Sequence, residues 1–97
     1  MTSDSEDILR KLRALKPALK RWKIRRLRVF GSVLHGTAGP DSDVDLIADF
    51  EETPGWEFFT IKEEMEEHLG RKVDLLTEDS IDKYLKKKIL NEARDVV

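Results

Sequence analysis

Two aspartates one residue apart, Asp43 and Asp45, offer the clearest chemistry in this 97-residue chain. At positions i and i+2 of an extended strand, both side chains leave the same face. Carboxylates held that close repel each other unless a cation lies between them, which is how hard divalent ions such as Mg²⁺ are bound. The alternative is that the D-x-D pattern is the solvated face of an edge strand, and spacing alone favours that alternative.

A second feature lies ahead of the aspartates, where an apolar run from Leu27 to Phe30 breaks at Gly31-Ser32. A glycine at a strand end lets the backbone approach a phosphate closely, and a following turn of helix offers free N–H groups and a hydroxyl. The alternative is a tight turn that needs glycine only for its conformation. The chain contains neither G-x-x-x-x-G-K-[ST] nor G-x-G-x-x-G, so neither a P-loop nor a dinucleotide fold is indicated.

A third carboxylate, Asp74, lies in the segment K-V-D-L-L between the apolar residues Val73 and Leu75. If this strand lies beside the strand of Asp43 and Asp45, the three carboxylates converge. Two metal ions roughly 3.5–4 Å apart could then clamp the attacking and leaving oxygens of an in-line displacement. In that arrangement Asp74 would bind the catalytic metal and help to deprotonate an attacking hydroxyl. The alternative is an isolated surface aspartate.

Three strands must position these residues. Apolar content and alternation predict them at 24–30, 42–50 and 72–76, with Val44, Leu46 and Ala48 facing one side and Ile47 joining the aspartates on the other. The connection between the first two strands is too short for a parallel crossover, so we expect these strands to be antiparallel and the sheet to be mixed.

Helices are predicted between and around the strands. From Asp7 apolar residues recur at helical spacing, and Pro17 inside that pattern predicts a kink or a second short helix that starts near it. The following helices comprise one turn after Gly31, a helix that ends at Gly70 and a last helix over 81–93. Residues 1–6 are expected to be frayed. The predicted order is α-β-α-β-α-β-α in a small α+β domain.

The totals indicate one domain over residues 1–97 with a single modest core. The net charge of −2 conceals an asymmetry, because Arg10–Arg28 holds ten basic residues and no acid, whereas Asp41–Glu67 holds eleven acids and one lysine. The chain has no cysteine, which excludes disulfides and thiolate metal sites. No apolar run approaches a membrane span and no signal peptide is present, so we expect a cytoplasmic protein.

The motifs together resemble one known family. Gly31-Ser32, Gly36 and the segment S-D-V-D-L (Ser42–Leu46) match the G-S-x-x-x-G-x(5)-S-D-x-D-L signature of minimal nucleotidyltransferase (MNT) domains in the polymerase-beta-like superfamily. The resemblance extends through the G-R-K-V-D-L-L strand to the closing I-L-N-E-A helix and so covers nearly the whole chain. One difference is Val33, where many relatives carry an arginine.

The resemblance implies transfer of a nucleoside monophosphate from a nucleoside triphosphate, usually ATP with Mg²⁺, onto a hydroxyl. Two ions are expected, with Mn²⁺ as an alternative metal. By the same resemblance Asp43, Asp45 and Asp74 are the catalytic and metal-binding carboxylates. The residues implied in nucleotide binding are Gly31, Ser32 and Ser42.

Small proteins similar to this one are antitoxins that neutralise a HEPN-domain ribonuclease toxin by adenylylating a tyrosine. The resemblance therefore implies a toxin partner, and the two assemblies left open are a hetero-oligomer with this partner and a homodimer. Two other functions stay open: a non-catalytic antitoxin of the same fold, and a nucleotidyltransferase for a small molecule or an RNA end. The basic stretch lacks aromatic platforms for bases and is interpreted as a solvated helix face. Trp22 and Trp56 are expected in core or rim packing, with a partner interface as the alternative for one of them, and Tyr84 is expected at a core-facing helical position.

Overall fold

The computed structural model describes residues 3–96 as a four-stranded mixed sheet with helices against both faces. The helices are α1 (Asp4–Arg13), α2 (Lys16–Arg21), α3 (Ser32–His35), α4 (Glu57–Leu69) and α5 (Lys83–Glu92), with a 3₁₀ turn over Glu78–Ser80. The strands are β1 (Ile24–Phe30), β2 (Val44–Phe50), β3 (Val73–Leu76) and β4 (Arg94–Asp95). The predicted α+β class with a small mixed sheet is confirmed.

The sheet has the strand order β3-β2-β1-β4. β1 and β2 are antiparallel, as their short connection predicted, whereas β2 and β3 are parallel because α4 provides the crossover between them. β4 pairs antiparallel with the outer edge of β1. The predicted element order lacked β4, because two residues are too few to give a strand pattern in the sequence.

The main core lies between one face of the sheet and the helices α1, α2 and α4. Ile24 and Leu27 both belong to this core although they are three residues apart, a spacing that would place them on opposite faces of a regular strand. The β1–β2 register shifts between Ile24 and Arg26, and this irregularity returns Leu27 and Val29 to the core side. On β2 the predicted core-facing residues are buried as expected: Val44, Leu46 and Ala48.

The opposite face of the sheet is covered by α5 and the segment that leads into it. Ile47 is fully buried there with Ile81 and Ala93, and Leu90 of α5 packs against this cluster. This is the face that was predicted to carry the aspartates. The last helix begins at Lys83, with the Asp82 side chain as its N-cap, rather than at residue 81.

The N-terminal helices follow the prediction from Pro17, which lies in the first turn of a separate α2. The expectation of fraying is wrong for residues 3–6, because Ser3 caps α1 by accepting a hydrogen bond from the Glu6 backbone at 3.1 Å and Ser5 is buried. Residues 1 and 2 lie outside the described residues. Within residues 3–96, none of the helices has the length and apolar character needed to cross a bilayer.

Two predictions about aromatic side chains are wrong. Tyr84 is 84% exposed, because it lies in the first turn of α5 on the side away from the sheet, whereas Ile89 and Leu90 turn towards it. Trp56 is 86% exposed at the start of α4. Trp22 does pack at the rim of the core, where its indole N–H donates to Glu64 at 3.0 Å.

Candidate active site

Asp45 and Asp74 are direct neighbours across the parallel strands β2 and β3. Paired positions on adjacent strands carry their side chains on the same face of a sheet, so the two carboxylates lie side by side. Asp43 precedes the first residue of β2 and is therefore at the same end of the sheet. Asp43 and Asp74 are exposed, while Asp45 is half-buried. The predicted strand neighbours are thus present, although the strand itself begins one residue after Asp43.

The electrostatics of Asp45 reflect this crowding. Its pKa lies above the ordinary aspartate value, first because burial disfavours the charged form, then because of the negative charges of Asp74 and Asp43. The negative charges of Asp43 and Asp74 therefore both act on Asp45. A positive charge placed beside Asp45 would favour its ionised form.

Within the part of the chain that the structure describes, no group of three or more His, Cys, Asp or Glu side chains is already arranged to hold a metal ion. The donor chemistry nevertheless suits a hard divalent cation, since such ions prefer carboxylate oxygens and Asp45 experiences uncompensated negative charge. The residues present therefore fit a metal of the Mg²⁺ class.

Gly31 brings the turn after β1 against the carboxylates. It has a φ of +74°, and a Cβ built at this position would lie only 2.3 Å from Oδ2 of Asp45. A residue with a side chain would thus meet both a strained backbone and the carboxylate. The structure shows the turn conformation that needs glycine, and the group that approaches Gly31 closely is the Asp45 carboxylate; the predicted approach to a phosphate stays a prediction.

The short helix α3 begins at Ser32, directly after this glycine. Its next residue, Val33, is buried in the main core and packs with residues of the sheet and α1. Position 33 thus contributes to packing in this chain and does not face the carboxylates. His35 ends α3 on the surface, with its Nε2 atom 3.6 Å from a carboxylate oxygen of Glu92 in α5.

The loop from Thr37 to Ser42 connects α3 to Asp43 and is held by hydrogen bonds within the loop and from other elements. The Ser42 hydroxyl accepts a hydrogen bond from the Gly39 backbone N–H at 2.8 Å, so this side chain shapes the loop itself. The buried hydroxyl of Ser5 in α1 accepts from the backbone N–H of Ala38 at 3.3 Å. This loop sets the position from which Asp43 enters the site.

Arg71 makes more hydrogen bonds to this loop than Ser5 or Ser42 does, and it was not identified from the sequence. Its guanidinium donates to the backbone carbonyls of Gly39 and Ser42 and pairs with Asp4 of α1 at 3.2 Å. The side chain is largely buried. The only signal in the sequence was an arginine directly after the helix-ending Gly70, and nothing local shows which carbonyls it would reach.

A second charged group lies farther along the same face of the sheet, beyond Ile47. Arg28 is 5% exposed and donates to Asp49 of β2 at 3.3 Å and to Glu78 of the 3₁₀ turn at 2.5 Å. The hydrogen bond from Arg28 holds the pKa of the Glu78 carboxyl below its usual value. This ion-pair group ties the segment after β3 to β1 and so supports the elements around the carboxylates.

Comparison with known proteins agrees with this geometry. Residues 12–96 match the family described as a nucleotidyltransferase domain. The protein adenylyltransferase MntA of Thermococcus cleftensis is 40% identical over 89 residues, which cover 90% of each chain.

Among solved structures, a minimal nucleotidyltransferase superposes with a TM-score of 0.81 at 33% identity, covering 97% of this chain and 96% of that one. A toxin–antitoxin structure with AMP-PNP shares the fold at a TM-score of 0.73 and 20% identity, covering 90% of this chain and 72% of that one. With the family match extending over most of its length, the chain belongs to the nucleotidyltransferase domain family and is a nucleotidyltransferase.

Proposed function

We propose that this chain transfers AMP from ATP to a protein hydroxyl, a tyrosine of a HEPN-domain ribonuclease toxin, and thereby acts as its antitoxin. The observation that carries the proposal is the pairing of Asp45 with Asp74 directly beside Gly31. Two findings support the choice of reaction and partner. The Thermococcus relative is a protein adenylyltransferase, and one structural neighbour is a toxin–antitoxin complex with AMP-PNP.

The positions of the site residues support a role for each of them in this reaction. Gly31 and Ser32 would receive the triphosphate at the start of α3, where the first backbone N–H groups of the helix and the Ser32 hydroxyl can donate to phosphate oxygens. Asp43, Asp45 and Asp74 would hold Mg²⁺, or Mn²⁺ in its place, and two bound ions would neutralise charge on the attacking and leaving oxygens. Ser42 would serve the nucleotide by fixing the loop before Asp43.

The reaction forms a bond from the tyrosine oxygen to the α-phosphorus and breaks the bond from that phosphorus to the bridging oxygen. Pyrophosphate leaves, and Asp74 accepts the phenolic proton. Because Asp43 and Asp74 are exposed, the site is open enough for a side chain presented by a folded protein. The acceptor and the chain would form a hetero-oligomer during this reaction.

The experiment combines the chain with labelled ATP, Mg²⁺ and the purified product of the neighbouring gene. We expect a mass increase of one or more AMP groups on a partner tyrosine. Asp43→Asn or Asp45→Asn should lower the rate by at least about 100-fold, because each removes a carboxylate that would hold the metal, and a bound metal supplies several kcal/mol of transition-state charge stabilisation. Asp41→Asn is the matched control, because Asp41 is an exposed aspartate of the same loop.

Two outcomes would replace the proposal with another function. Neutralisation of the partner by both Asp→Asn variants, with no mass change, would identify a non-catalytic antitoxin that acts by contact. Label found on a small molecule or on an RNA end, with the partner unmodified, would identify a different acceptor class.

A further inference from the structure

The outer face of α4 is unlike the rest of the surface because its first turn is aromatic and its second half acidic. Trp56 is 86% exposed and Phe59 is 59% exposed. At helical spacing these two residues align with Glu63 and Glu67, on the side opposite the buried residues of α4. We call these four residues the α4 stripe. Large exposed aromatic side chains in one patch mark an interaction site more often than isolated ones do.

The aromatic end of the α4 stripe is held in place by other rings. Trp56 and Phe59 have ring centroids 6.5 Å apart, and Phe59 meets Phe58 edge-on at 5.8 Å. Phe58 in turn lies 6.3 Å from Phe50 of β2, at the edge of the core. The exposed rings are therefore the outer members of a series that begins in the core. Such a preordered anchor loses little conformational entropy on binding.

A groove adjoins this anchor. It has a volume of about 640 Å³ and lies between the end of α2 and the start of α4, with Trp22 and Trp56 among its lining residues. Pro54, Thr60 and Ile61 supply apolar and small surfaces in the same groove. The surface thus offers both a projecting indole and a depression beside it, a shape that fits an irregular protein surface.

The charge of α4 limits what can bind there. The helix contains five glutamates and one lysine, which gives it a formal charge of 1 − 5 = −4. Anionic lipid surfaces and nucleic-acid phosphates would be repelled by this charge. Two copies of the same face would repel each other across a symmetric dimer, since an isologous contact brings identical patches together. A partner with an apolar pocket rimmed by lysine or arginine is complementary.

We propose that the α4 stripe is the docking surface for the protein acceptor, which presents a basic, apolar-centred patch to it. This inference rests on the proposed function, because it assigns a second contact to the same partner. Phe50, beside the aromatic series, is five residues along β2 from Asp45, roughly 17 Å at the rise of a strand, and α4 packs against the opposite face of the sheet from the carboxylates. An acceptor that contacts the α4 stripe and the active site together must therefore reach around the outer edge of β3, which a folded protein can do and a small-molecule acceptor cannot.

The test measures binding of the purified partner, the product of the neighbouring gene, by titration calorimetry and AMP transfer by mass spectrometry. For Trp56→Ala/Phe59→Ala we expect the Kd to rise at least about 30-fold, as for loss of a hot-spot pair. The KM for the partner should rise, and the KM for ATP should stay unchanged. Glu63→Lys/Glu67→Lys should slow association and weaken its salt dependence.

The matched control is Tyr84→Ala, which removes an equally exposed aromatic ring from α5, outside the α4 stripe. It should leave both binding and transfer unchanged. All substituted side chains are exposed, so thermal unfolding should show intact folds. A second result that supports the proposal is protection of the α4 stripe from hydrogen exchange or labelling in the complex.

The possible failures separate the two proposals. If the wild-type chain binds the partner through the α4 stripe without transferring AMP, the proposed reaction is wrong and the docking surface stands. If AMP is transferred and both double variants keep the wild-type Kd and partner KM, the docking surface is wrong. It is also wrong if the wild-type chain forms no complex with this partner, or if the variants abolish only self-association.

Discussion

At the scale of single residues, Gly31 and Asp45 constrain each other, because the Asp45 carboxylate occupies the space that a side chain at position 31 would need. The glycine has a positive φ, and its missing Cβ leaves the space that a carboxylate oxygen of Asp45 approaches. Gly36 has the same φ of +74° but would meet no atom within 4 Å of an added Cβ. The two glycines therefore share a φ but differ in ψ, which is −147° at Gly31 and 16° at Gly36, and in what lies beside them.

We predict that Gly31→Ala abolishes AMP transfer and destabilises the fold, whereas Gly36→Ala only destabilises it. Both substitutions introduce the strain of a side chain at positive φ, about 1–3 kcal/mol, and this strain is larger at Gly31, whose ψ of −147° lies close to a region that only glycine adopts readily. Gly31→Ala also displaces Asp45, so its unfolding free energy should fall further. Chemical denaturation and a transfer assay measure both effects. Equal losses in the two variants would show that the contact with Asp45 has no consequence.

Asp45 also gives the protein a pH dependence. Its folded-state pKa is raised, so the folded state binds the proton more tightly and the contribution of Asp45 to stability declines as pH rises above the ordinary value of 3.8. Above the folded-state pKa of Asp45, the free energy of unfolding that is lost through its ionisation no longer changes with pH. Asp45→Asn should therefore stabilise the metal-free protein at neutral pH and not below pH 3.8, where wild type and variant should converge.

The measurement is the Tm between acidic and neutral pH in the presence of a chelator, with Asp41→Asn as the control. Added Mg²⁺ should raise the Tm of the wild-type chain more than that of Asp45→Asn, because binding to the folded state alone stabilises it. A Tm difference that does not change with pH would contradict repulsion among these carboxylates.

At the scale of structural elements, Arg71 joins the end of α4, the loop before β2 and the first turn of α1. Its guanidinium donates to the carbonyls of Gly39 and Ser42 and pairs with Asp4. One side chain therefore holds the loop that directly precedes Asp43. It is a positioning residue, since its contacts are with the loop and α1 rather than with the carboxylates.

We predict that Arg71→Ala lowers kcat/KM for ATP by roughly 10–100-fold, the scale expected when a reacting group is displaced by a distant change. Arg71→Lys keeps the charge near Asp4 but cannot donate to both carbonyls in the same way, so its loss should be intermediate. The concentration of Mg²⁺ at half-maximal rate should rise with the loss of order at Asp43.

Arg10→Ala is the control for this series, because Arg10 is an exposed arginine of α1 that pairs only with Asp7 among the described residues. Its activity should equal that of the wild type. A normal Mg²⁺ dependence in Arg71→Ala, with only a lower Tm, would assign Arg71 to stability alone.

At the scale of the whole molecule, the C-terminal segment adds the strand β4 to the outer edge of β1. β4 covers the edge of β1, Arg26 pairs with Asp95 across it at 2.5 Å, and the Val96 backbone donates to Leu27 at 2.9 Å. Val96 is buried in the main core, which otherwise consists of earlier residues. The last described residues thus complete a core begun by α1.

We predict that Val96→Asp lowers the free energy of unfolding by about 2–4 kcal/mol, because it places an unpaired carboxylate in the core. Lys87→Asp, a change to aspartate at an exposed position of α5, should have an effect within about 0.5 kcal/mol. Urea denaturation measures both. A Val96→Asp variant as stable as the wild type would show that β4 closure contributes little.

The sequence alone determined the parts of this protein that depend on local patterns. The alternation of apolar residues predicted that Val44 and Ile47 lie on opposite faces of the sheet, and the short connection predicted that β1 and β2 are antiparallel. Pro17 predicted the start of a second helix, and the structure confirms all three predictions. The motif around Gly31 and the aspartates also indicated the nucleotidyltransferase family, because the spacing of glycines and carboxylates is itself a sequence property.

Only the tertiary structure decided which distant residues meet. The strand register placed Asp74 beside Asp45, and the fold brought Arg71 to the loop carbonyls and β4 to the edge of β1. It also left Trp56 and Tyr84 exposed, against the predictions of core or rim packing for Trp56 and of a core-facing helical position for Tyr84. The physical reason is that these contacts depend on how whole elements pack, whereas sequence periodicity reports only which side of one element is apolar.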